Sequence, residues 1–323
     1  MEPISSIDPA TNKLYFRGLD ATELARTTDY ESVLYLLIHG ELPTDSQRIR
    51  LVRRMTQLRD LYTENIHSLE ILVDRISEFR EGHSLDLHDT LLAYVTLCPF
   101  AVTAQYVNSQ GREMVEPDKK LGHAANFLWM ITGVEHENTD NRDFQTALML
   151  PMDDPDNPSL TALTEALKEG NELDALREAL RAHVGPLHHG AGTLAMKMFE
   201  EIRTPEKARE YLKQRLESGE KLYGLGHRIY TGLDPRAKVL RDMLEKRASE
   251  IDKEWLVQVT EAVAKEGRKL LSEQKGIDTY PNIDLYNAAV YSTFGFPAEL
   301  NTSLFAVSRA AGWMAHILDL KSD

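Results

Sequence analysis

Histidines stand next to glycines at one point in the chain where a helix is predicted to begin. Residues 185–190 read GPLHHG, and an apolar helical pattern follows through Phe199. Histidine changes its charge near neutral pH, so His188 and His189 could donate or accept a proton at such a helix entrance. The same pair could equally satisfy backbone carbonyls in a turn. The local pattern leaves both interpretations open.

A second segment combines a histidine with two arginines. Residues 224–236 read GLGHRIYTGLDPR, with His227 between glycines and with Arg228 and Arg236 close behind it. A histidine can polarise a carbonyl, and an arginine can bind a carboxylate through two parallel hydrogen bonds. Together they suit a substrate whose carbonyl lies beside acid groups. A plain surface loop is the alternative.

The third segment places an acid in an apolar and aromatic run. Residues 280–286 read YPNIDLY, and Asp284 precedes a predicted helix rich in small residues. Burial would raise the pKa of Asp284 from about 3.9 towards values useful for a general base, unless a cation pairs with it. Otherwise Asp284 is only the N-cap of the helix that follows. Both interpretations remain open.

Helix signals recur along the whole chain and predict the elements that must position these segments. Capping residues, prolines at first helical positions and glycines after apolar runs are typical of helix ends. Helices are predicted after Asp20, after Asp29 as far as Gly40, from the capping box at residues 44–47, at Pro205 after Thr204, and from Pro297 to about residue 320. Only residues 13–17 read as a possible strand. The predicted class is therefore all-α.

Composition restricts the class of protein further. The chain has 323 residues, of which 42% are hydrophobic and 27% charged, so it can bury a sizeable core and has room for two domains. Its formal net charge of -14 argues against a general nucleic-acid binder, because phosphate backbones select clustered lysine and arginine. Any anionic ligand must therefore be bound by local cations.

Cysteine content and hydropathy bear on the compartment. The single cysteine, Cys98, excludes an intrachain disulfide framework and a cysteine-based zinc cluster, which favours a reducing compartment. We expect no secretory signal peptide at the N-terminus, and no apolar run that reaches the roughly 20 residues a membrane helix needs. We predict a cytoplasmic protein with no membrane partner.

One acidic, proline-rich segment interrupts the helical pattern. Residues 151–158 read PMDDPDNP, and their oxygen ligands are of the kind that calcium prefers. The segment lacks the central glycine and the closing glutamate of an EF-hand loop. We expect a solvated turn here and no metal site.

Taken together and in this order, the motifs resemble those of the citrate synthase family. They are GPLHHG, GLGHRIYTGLDPR and PNIDLY, followed by GFP at residues 295–297 and SRAAG at residues 308–312. Residues 4–40, which open with SSIDPATNKLYFRG, and the helix end LYLLIHGELPT at residues 34–44 are similar to the same family. The resemblance therefore covers nearly the whole chain.

The resemblance implies a Claisen-type condensation with defined catalytic roles. Asp284 is expected to remove a proton from a thioester methyl group, and His188 to stabilise the resulting enol or enolate by hydrogen bonding. His227 is expected to polarise the 2-oxo carbonyl and to protonate the new alkoxide. Arg236 and Arg309 are expected to hold the carboxylates of the oxo acid.

The resemblance also implies the substrates and the architecture. Acetyl-CoA and oxaloacetate are the expected substrates, with the coenzyme A thioester as substrate and no tightly bound cofactor. A large helical domain of residues 1–189 and 290–323 is expected to carry a smaller inserted domain of residues 190–289. The family site forms in a cleft between domains that closes on the oxo acid. A homodimer is the expected assembly.

Two positions depart from the family pattern. The family commonly has a histidine-rich stretch where this chain reads PMDDP, so Asp154 stands in place of a histidine that binds the oxo acid. A like charge about 4 Å from a carboxylate costs ~4 kcal/mol at an effective dielectric of 20. Either the oxo acid lies differently or Asp154 points away, and His183 or His189 could supply the missing donor.

The second departure is Thr231, where the family usually has a cation that contacts coenzyme A phosphates. Arg228 could partly compensate and is our predicted coenzyme A contact.

Two other functions compete with a citrate synthase. A 2-methylcitrate synthase would prefer propionyl-CoA, which differs by one methylene, and hydrophobic pockets discriminate such a difference by only ~1 to 3 kcal/mol. A catalytically weak paralogue with a binding or regulatory role is the alternative from another class, motivated by the PMDDP stretch. His188, His227 and Asp284 are all present, and this favours the enzyme.

Overall fold

The predicted all-α class is confirmed. A computed structural model describes residues 2–61, 66–185, 190–227 and 229–322 of the chain. Its helices are α1 (Ala21–Thr27), α2 (Tyr30–His39), α3 (Asp45–Leu61), α4 (Leu69–His83), α5 (Leu87–Ser109), α6 (His123–Thr132), α7 (Asn138–Met149), α8 (Pro158–Glu169), α9 (Glu172–Val184), α10 (Ala191–Ile202), α11 (Pro205–Glu217), α12 (Pro235–Glu250), α13 (Glu254–Lys275), α14 (Ile283–Ser292) and α15 (Asn301–Lys321), with a 3-10 turn η1 (Ala298–Leu300) before the last. Three short strands, β1 (Ser5–Asp8), β2 (Lys13–Phe16) and β3 (Leu19–Asp20), form a sheet in that order.

The predicted helix ends near the N-terminus are confirmed by their hydrogen bonds. Asp20 and Asp29 each accept hydrogen bonds from backbone N–H groups in the first turns of α1 and α2. Gly40 ends α2 in the left-handed conformation, with φ at 81°. The backbone N–H of Thr44 donates to Gln47 Oε1 at 2.8 Å, and that of Gln47 donates to Thr44 Oγ1 at 3.4 Å. This reciprocal pair is a capping box.

Three details differ from the sequence predictions. Helix α11 begins at Pro205 as expected, but the Thr204 side chain makes no capping hydrogen bond. The apolar stretch after Pro297 opens with the single turn η1 before α15 begins. The expectation of one strand was wrong, because β1 and β3 flank β2. With four and two residues, they are too short to show a clear alternation of apolar and polar positions.

The chain folds into two compact units. The larger unit comprises Met1–Ser6, Tyr15–His188 and Ser303–Asp323, and the smaller unit comprises Ile7–Leu14 and His189–Thr302. The chain returns to the larger unit after residue 302, whereas the sequence predicts a return near residue 290. The smaller unit also includes the N-terminal segment Ile7–Leu14, which the sequence did not predict. The domain boundaries drawn from the sequence remain a prediction.

Helix α5 is the central element of the larger unit. Its buried residues occupy every side of the helix, and Tyr94 on α5 packs near the Trp313 ring of α15. By length and composition α5 could cross a membrane, so the expectation that no apolar run is long enough was wrong. However, 83% of its most apolar 18-residue stretch is buried inside the protein. Burial on all sides is typical of a core helix.

In the smaller unit, the loop before α12 is joined to the segment that leads into α14. The two segments run antiparallel. The N–H of Gly226 donates to the Tyr280 carbonyl at 2.7 Å, and the N–H of Asn282 donates to the Gly224 carbonyl at 3.0 Å. The Asn282 side-chain amide adds a bond to the Gly226 carbonyl at 2.6 Å. This joint connects two of the three segments that the sequence singled out.

Only glycine fits at position 224 in this joint. Its φ of +80° lies in the left-handed region, which L side chains rarely adopt. A Cβ added there would lie 2.6 Å from Leu285 Cα, which is far inside van der Waals contact. The backbone of α14 would therefore have to move away from the loop.

We expect Gly224→Ala to destabilise the folded protein by more than about 1 kcal/mol, because it combines backbone strain with a clash against α14. Gly82→Ala is the matched control, since its added Cβ meets nothing within 4 Å in α4. Alanine is the better helix former there, so the control should be neutral or slightly stabilising. Urea unfolding followed by helical circular dichroism measures both variants. Equal stability of the two would contradict the proposed joint.

Candidate active site

The backbone around His227 selects one tautomer of its ring. The N–H groups of Ile229 and Tyr230 donate to His227 Nδ1 at 3.2 and 3.4 Å. Because Nδ1 accepts, the neutral ring carries its proton on Nε2. The ring is half-buried, and its centroid lies 4.4 Å from that of Tyr230. His227 can therefore offer Nε2–H as a hydrogen-bond donor to a substrate oxygen.

Asp284 is not the cap of its helix. Asn282 is the N-cap of α14, and its side-chain oxygen accepts from the Asp284 N–H at 3.0 Å. The alternative reading of Asp284 as a capping residue was therefore wrong. Asp284 is half-buried in the first turn of α14, where the helix dipole stabilises the ionised carboxylate. A general base must be ionised before it can accept a proton.

Arg236 is buried and forms an ion pair that the sequence interpretation missed. Only 1% of its surface is exposed. Its Nε and Nη2 donate to Asp234 Oδ1 and Oδ2 at 3.0 and 2.9 Å, a parallel pair of charge-assisted hydrogen bonds. The guanidinium also lies over the Tyr230 ring, 5.6 Å from its centroid. Its predicted role as a carboxylate ligand remains a prediction.

Asp234 links the helices on both sides of the joint. Its Oδ1 accepts from the Arg236 N–H at 2.9 Å and so caps α12, while its Oδ2 accepts from the Ile283 N–H at 3.2 Å at the start of α14. Asp before a proline at the first helical position is a capping signal, which could have identified the first contact. The contact with Ile283 depends on the tertiary fold. His227 and Asp284 therefore belong to one hydrogen-bonded substructure.

The predicted helix after the GPLHHG segment is confirmed, and α10 begins at Ala191. Asn301 packs closely against its first turn, where a Cβ added to Gly192 would clash with the Asn301 side-chain amide. Thr193 Oγ1 also donates to the Ala298 carbonyl at 2.8 Å.

Three residues singled out from the sequence, His188, His189 and Arg228, lie outside the described residues. Their roles remain predictions.

A buried amide near Asp284 gave no signal in the sequence. Asn287 lies one turn after Asp284 on α14 and has no exposed surface. Neither its Nδ2 nor its Oδ1 has a hydrogen-bond partner within the described part of the chain. Leaving such a group unsatisfied costs about 1–3 kcal/mol. Sites that bind ligands are one place where proteins retain this cost.

In the larger unit, Arg309 lies near an acid. Asp154 Oδ2 is 3.9 Å from Arg309 Nη2, and the two residues are only 7% and 4% exposed. Asp154 therefore points towards Arg309, and its effect on oxo-acid binding remains a prediction. The neighbouring Asp153 accepts from Ser5 Oγ at 2.5 Å and lies 2.9 Å from His316 Nε2.

Burial and neighbouring charges have opposite effects on the pKa of Asp153. Burial acts to raise its pKa, but His316, Arg309 and the Ser5 hydroxyl outweigh this effect, and the net pKa is lowered. Residues 151–154 are buried, so the expectation of a solvated turn was wrong for this half of the segment, whereas Pro155 and Asp156 are exposed. In the described ranges, no group of three or more potential metal ligands clusters at this or any other place.

His183 and Thr231 also have defined surroundings. The His183 ring is buried, stacks over Phe305 at 6.4 Å and meets Trp313 edge-on at 5.9 Å. Thr231 is exposed, and its Oγ1 donates to the Pro9 carbonyl at 3.5 Å. The suggestion that His183 replaces a missing oxo-acid ligand remains a prediction.

Comparisons with known proteins agree with the motifs. The family described as "Citrate synthase, C-terminal domain" matches residues 2–323. Citrate synthase of Haloferax volcanii is 34% identical over 346 aligned residues, covering 99% of this chain and 89% of that protein. The citrate/2-methylcitrate synthase of Bacillus subtilis is 29% identical over 338 residues, covering 97% and 88%.

A solved structure gives the same result for the fold. The crystal structure of citrate synthase from Thermotoga maritima superposes with a TM-score of 0.84 at 30% identity and covers 99% of this chain and 88% of that one. Since both the family match and these similarities extend over nearly the whole chain, the protein belongs to the citrate synthase family, whose enzymes join the acyl group of a coenzyme A thioester to a 2-oxo acid through a new carbon–carbon bond.

Proposed function

We propose that this enzyme condenses acetyl-CoA with oxaloacetate to give citrate and free coenzyme A. The observation that carries the proposal is the hydrogen-bonded joint in the smaller unit, which brings the loop of His227 against the segment that leads to Asp284. One residue can polarise a carbonyl and the other can accept a proton. The similarity to citrate synthases supports citrate as the product.

The first step is removal of a proton from the acetyl methyl group. The Asp284 carboxylate takes this proton, and negative charge develops on the thioester oxygen. His188 stabilises that oxygen by hydrogen bonding, as the family motif implies. The product of the step is an enol or enolate whose methylene carbon is nucleophilic.

The second step forms the carbon–carbon bond. His227 donates from Nε2 to the 2-oxo oxygen, which makes the oxo carbon more electrophilic. The methylene carbon attacks that carbon, and the new alkoxide takes the Nε2 proton from His227. The proton that Asp284 removed from the methyl group, passed on through water, restores His227 and leaves Asp284 ionised. Arg236 and Arg309 hold carboxylates of the oxo acid during the attack. Water then hydrolyses the thioester and releases coenzyme A as a thiol.

The remaining partners follow from the family. Coenzyme A enters as a substrate thioester and no tightly bound cofactor is required, with Arg228 as a contact for its phosphates. A homodimer is the proposed assembly. A cytoplasmic location remains a prediction from cysteine content.

Propionyl-CoA is the second candidate thioester. It is favoured by the similarity to the citrate/2-methylcitrate synthase of Bacillus subtilis. The additional methylene changes binding in an apolar pocket by only ~1 to 3 kcal/mol, so one enzyme can use both thioesters.

Release of free thiol tests the proposed reaction. Purified full-length protein is mixed with acetyl-CoA or propionyl-CoA, each with and without oxaloacetate at saturating concentration. We expect release that depends on oxaloacetate, together with citrate or 2-methylcitrate in the products. The relative kcat/KM values rank the two thioesters. Release that is independent of any oxo acid would contradict a condensation.

Asp284→Asn should lower kcat by about 10²–10⁴-fold, because the amide cannot accept the methyl proton. The fold should survive, since Asn282 and not Asp284 caps α14. Asp278→Asn is the matched control: it removes one carboxylate from the same segment, at an exposed position that pairs only at the surface with Arg268. Thiol release from acetyl-CoA with oxaloacetate measures both. A fully active Asp284→Asn variant would overturn the assignment of the base.

His227→Ala should remove the polarisation of the oxo carbonyl and lower kcat by about 10²–10³-fold. The ¹³C resonance of oxaloacetate labelled at C2 reports this polarisation directly. It should shift downfield when oxaloacetate binds to the wild type, and the shift should be lost in the variant. His67→Ala, at an exposed position outside the helices, serves as the control. An unchanged shift in His227→Ala would assign polarisation to another group.

A further inference from the structure

The buried amide of Asn287 gives the fold nothing in return for its lost hydration. Its side chain has no exposed surface, and neither Nδ2 nor Oδ1 has a hydrogen-bond partner within the described part of the chain. An amide has two N–H donors and an acceptor oxygen, so burying it unpaired is less favourable than burying a leucine of similar shape. A polar group that the fold does not use can be retained for the chemistry of a nearby site.

The direction of its side chain brings this amide towards Asp284. Residues three positions apart on a helix are neighbours, with Cβ atoms about 5–6 Å apart. Because Cα–Cβ bonds tilt towards the N-terminus of a helix, the Asn287 side chain covers the turn that contains Asp284. One change of side-chain torsion can therefore bring Nδ2 to about 2.9 Å from a carboxylate oxygen, which is an ordinary hydrogen-bond distance.

The two residues between them point to other sides of α14. Tyr286 Oη donates to Glu261 Oε1 on α13 at 2.9 Å. Leu285 lies against the loop before α12, which approaches it closely at position 224. Successive helix residues are rotated by about 100°, so Asp284 and Asn287 share a side of the helix that neither of these contacts occupies.

We propose that Asn287 is a positioning residue for the general base: when the thioester is bound, Nδ2 donates to one oxygen of the Asp284 carboxylate and directs the other oxygen towards the acetyl methyl group. The inference rests on the proposed function, in which Asp284 removes the methyl proton. A displacement of a reacting group by about 1 Å can cost about 10²-fold in rate. Asn287 thus makes in the reaction the hydrogen bond that it lacks in the fold.

Asn287→Leu removes the donor and the acceptor with little change of side-chain shape. We expect kcat for thiol release from acetyl-CoA and oxaloacetate to fall by about 10- to 100-fold. KM for each substrate should change by less than about threefold, because Asn287 acts on the base and not on substrate binding. The deuterium isotope effect on kcat, measured with acetyl-CoA deuterated at the methyl group, should rise as proton removal becomes rate-limiting.

Stability should change in the opposite direction to activity. In urea unfolding, Asn287→Leu should be at least as stable as the wild type, because an unpaired buried amide has been replaced by an apolar group. Asn287→Ser keeps a donor and should recover part of the lost kcat. Tyr286→Phe is the matched control, since it removes a hydroxyl and its hydrogen bond from the next position of the same helix. It should lower stability slightly and leave kcat and the isotope effect unchanged.

The possible failures can be told apart. If Asn287→Leu keeps the wild-type kcat and isotope effect, the inference is wrong although the condensation stands. If the variant loses stability and activity together with an unchanged isotope effect, Asn287 supports only the fold, and the inference is again wrong. If the wild type itself releases no thiol that depends on oxaloacetate, the proposed function fails and the inference fails with it.

Discussion

The buried carboxylate of Asp234 is the constraint on which the smaller unit depends. It is 1% exposed and accepts hydrogen bonds from the first turn of α12, from the Arg236 guanidinium and from the first residue of α14. A buried acid is tolerated only when charge and hydrogen bonds compensate for its lost hydration. Satisfying Asp234 therefore fixes the starts of α12 and α14 together, and with them the loop of His227 before α12 and the position of Asp284 in α14.

The larger unit contains a second buried pair of arginine and aspartate, with a different geometry. Arg236 and Asp234 meet through two parallel hydrogen bonds, whereas Arg309 and Asp154 are 3.9 Å apart. The first arrangement gives the full strength of a bidentate pair, and removing one partner of such a pair costs about 3–5 kcal/mol. The second balances charge at longer range. The first pair is thus suited to holding the fold.

Local signals made much of the fold predictable from the sequence. Asp29, Gly40 and the Thr44–Gln47 capping box act on residues within one turn, so their outcome hardly depends on the rest of the chain. Asp284 was noticed because an acid is unusual in an apolar run. By contrast, the contact of Asp234 with Ile283 and that of Asp154 with Arg309 join residues 49 and 155 positions apart, and local patterns carry no information on them. Asn287 was missed for the same reason, since burial on α14 is decided by tertiary packing.

Hydrogen exchange in an Asp234→Asn variant tests the central claim most directly, that one buried carboxylate holds the loop of His227 to the helix of Asp284. Mass spectrometry can follow peptides that cover residues 224–236 and 280–292, with α5 of the larger unit as the internal reference. The account predicts that exchange in both peptides becomes faster together in the variant while α5 stays protected. Unchanged protection of the 280–292 peptide would show that Asp234 does not hold α14 in place, and would contradict the account.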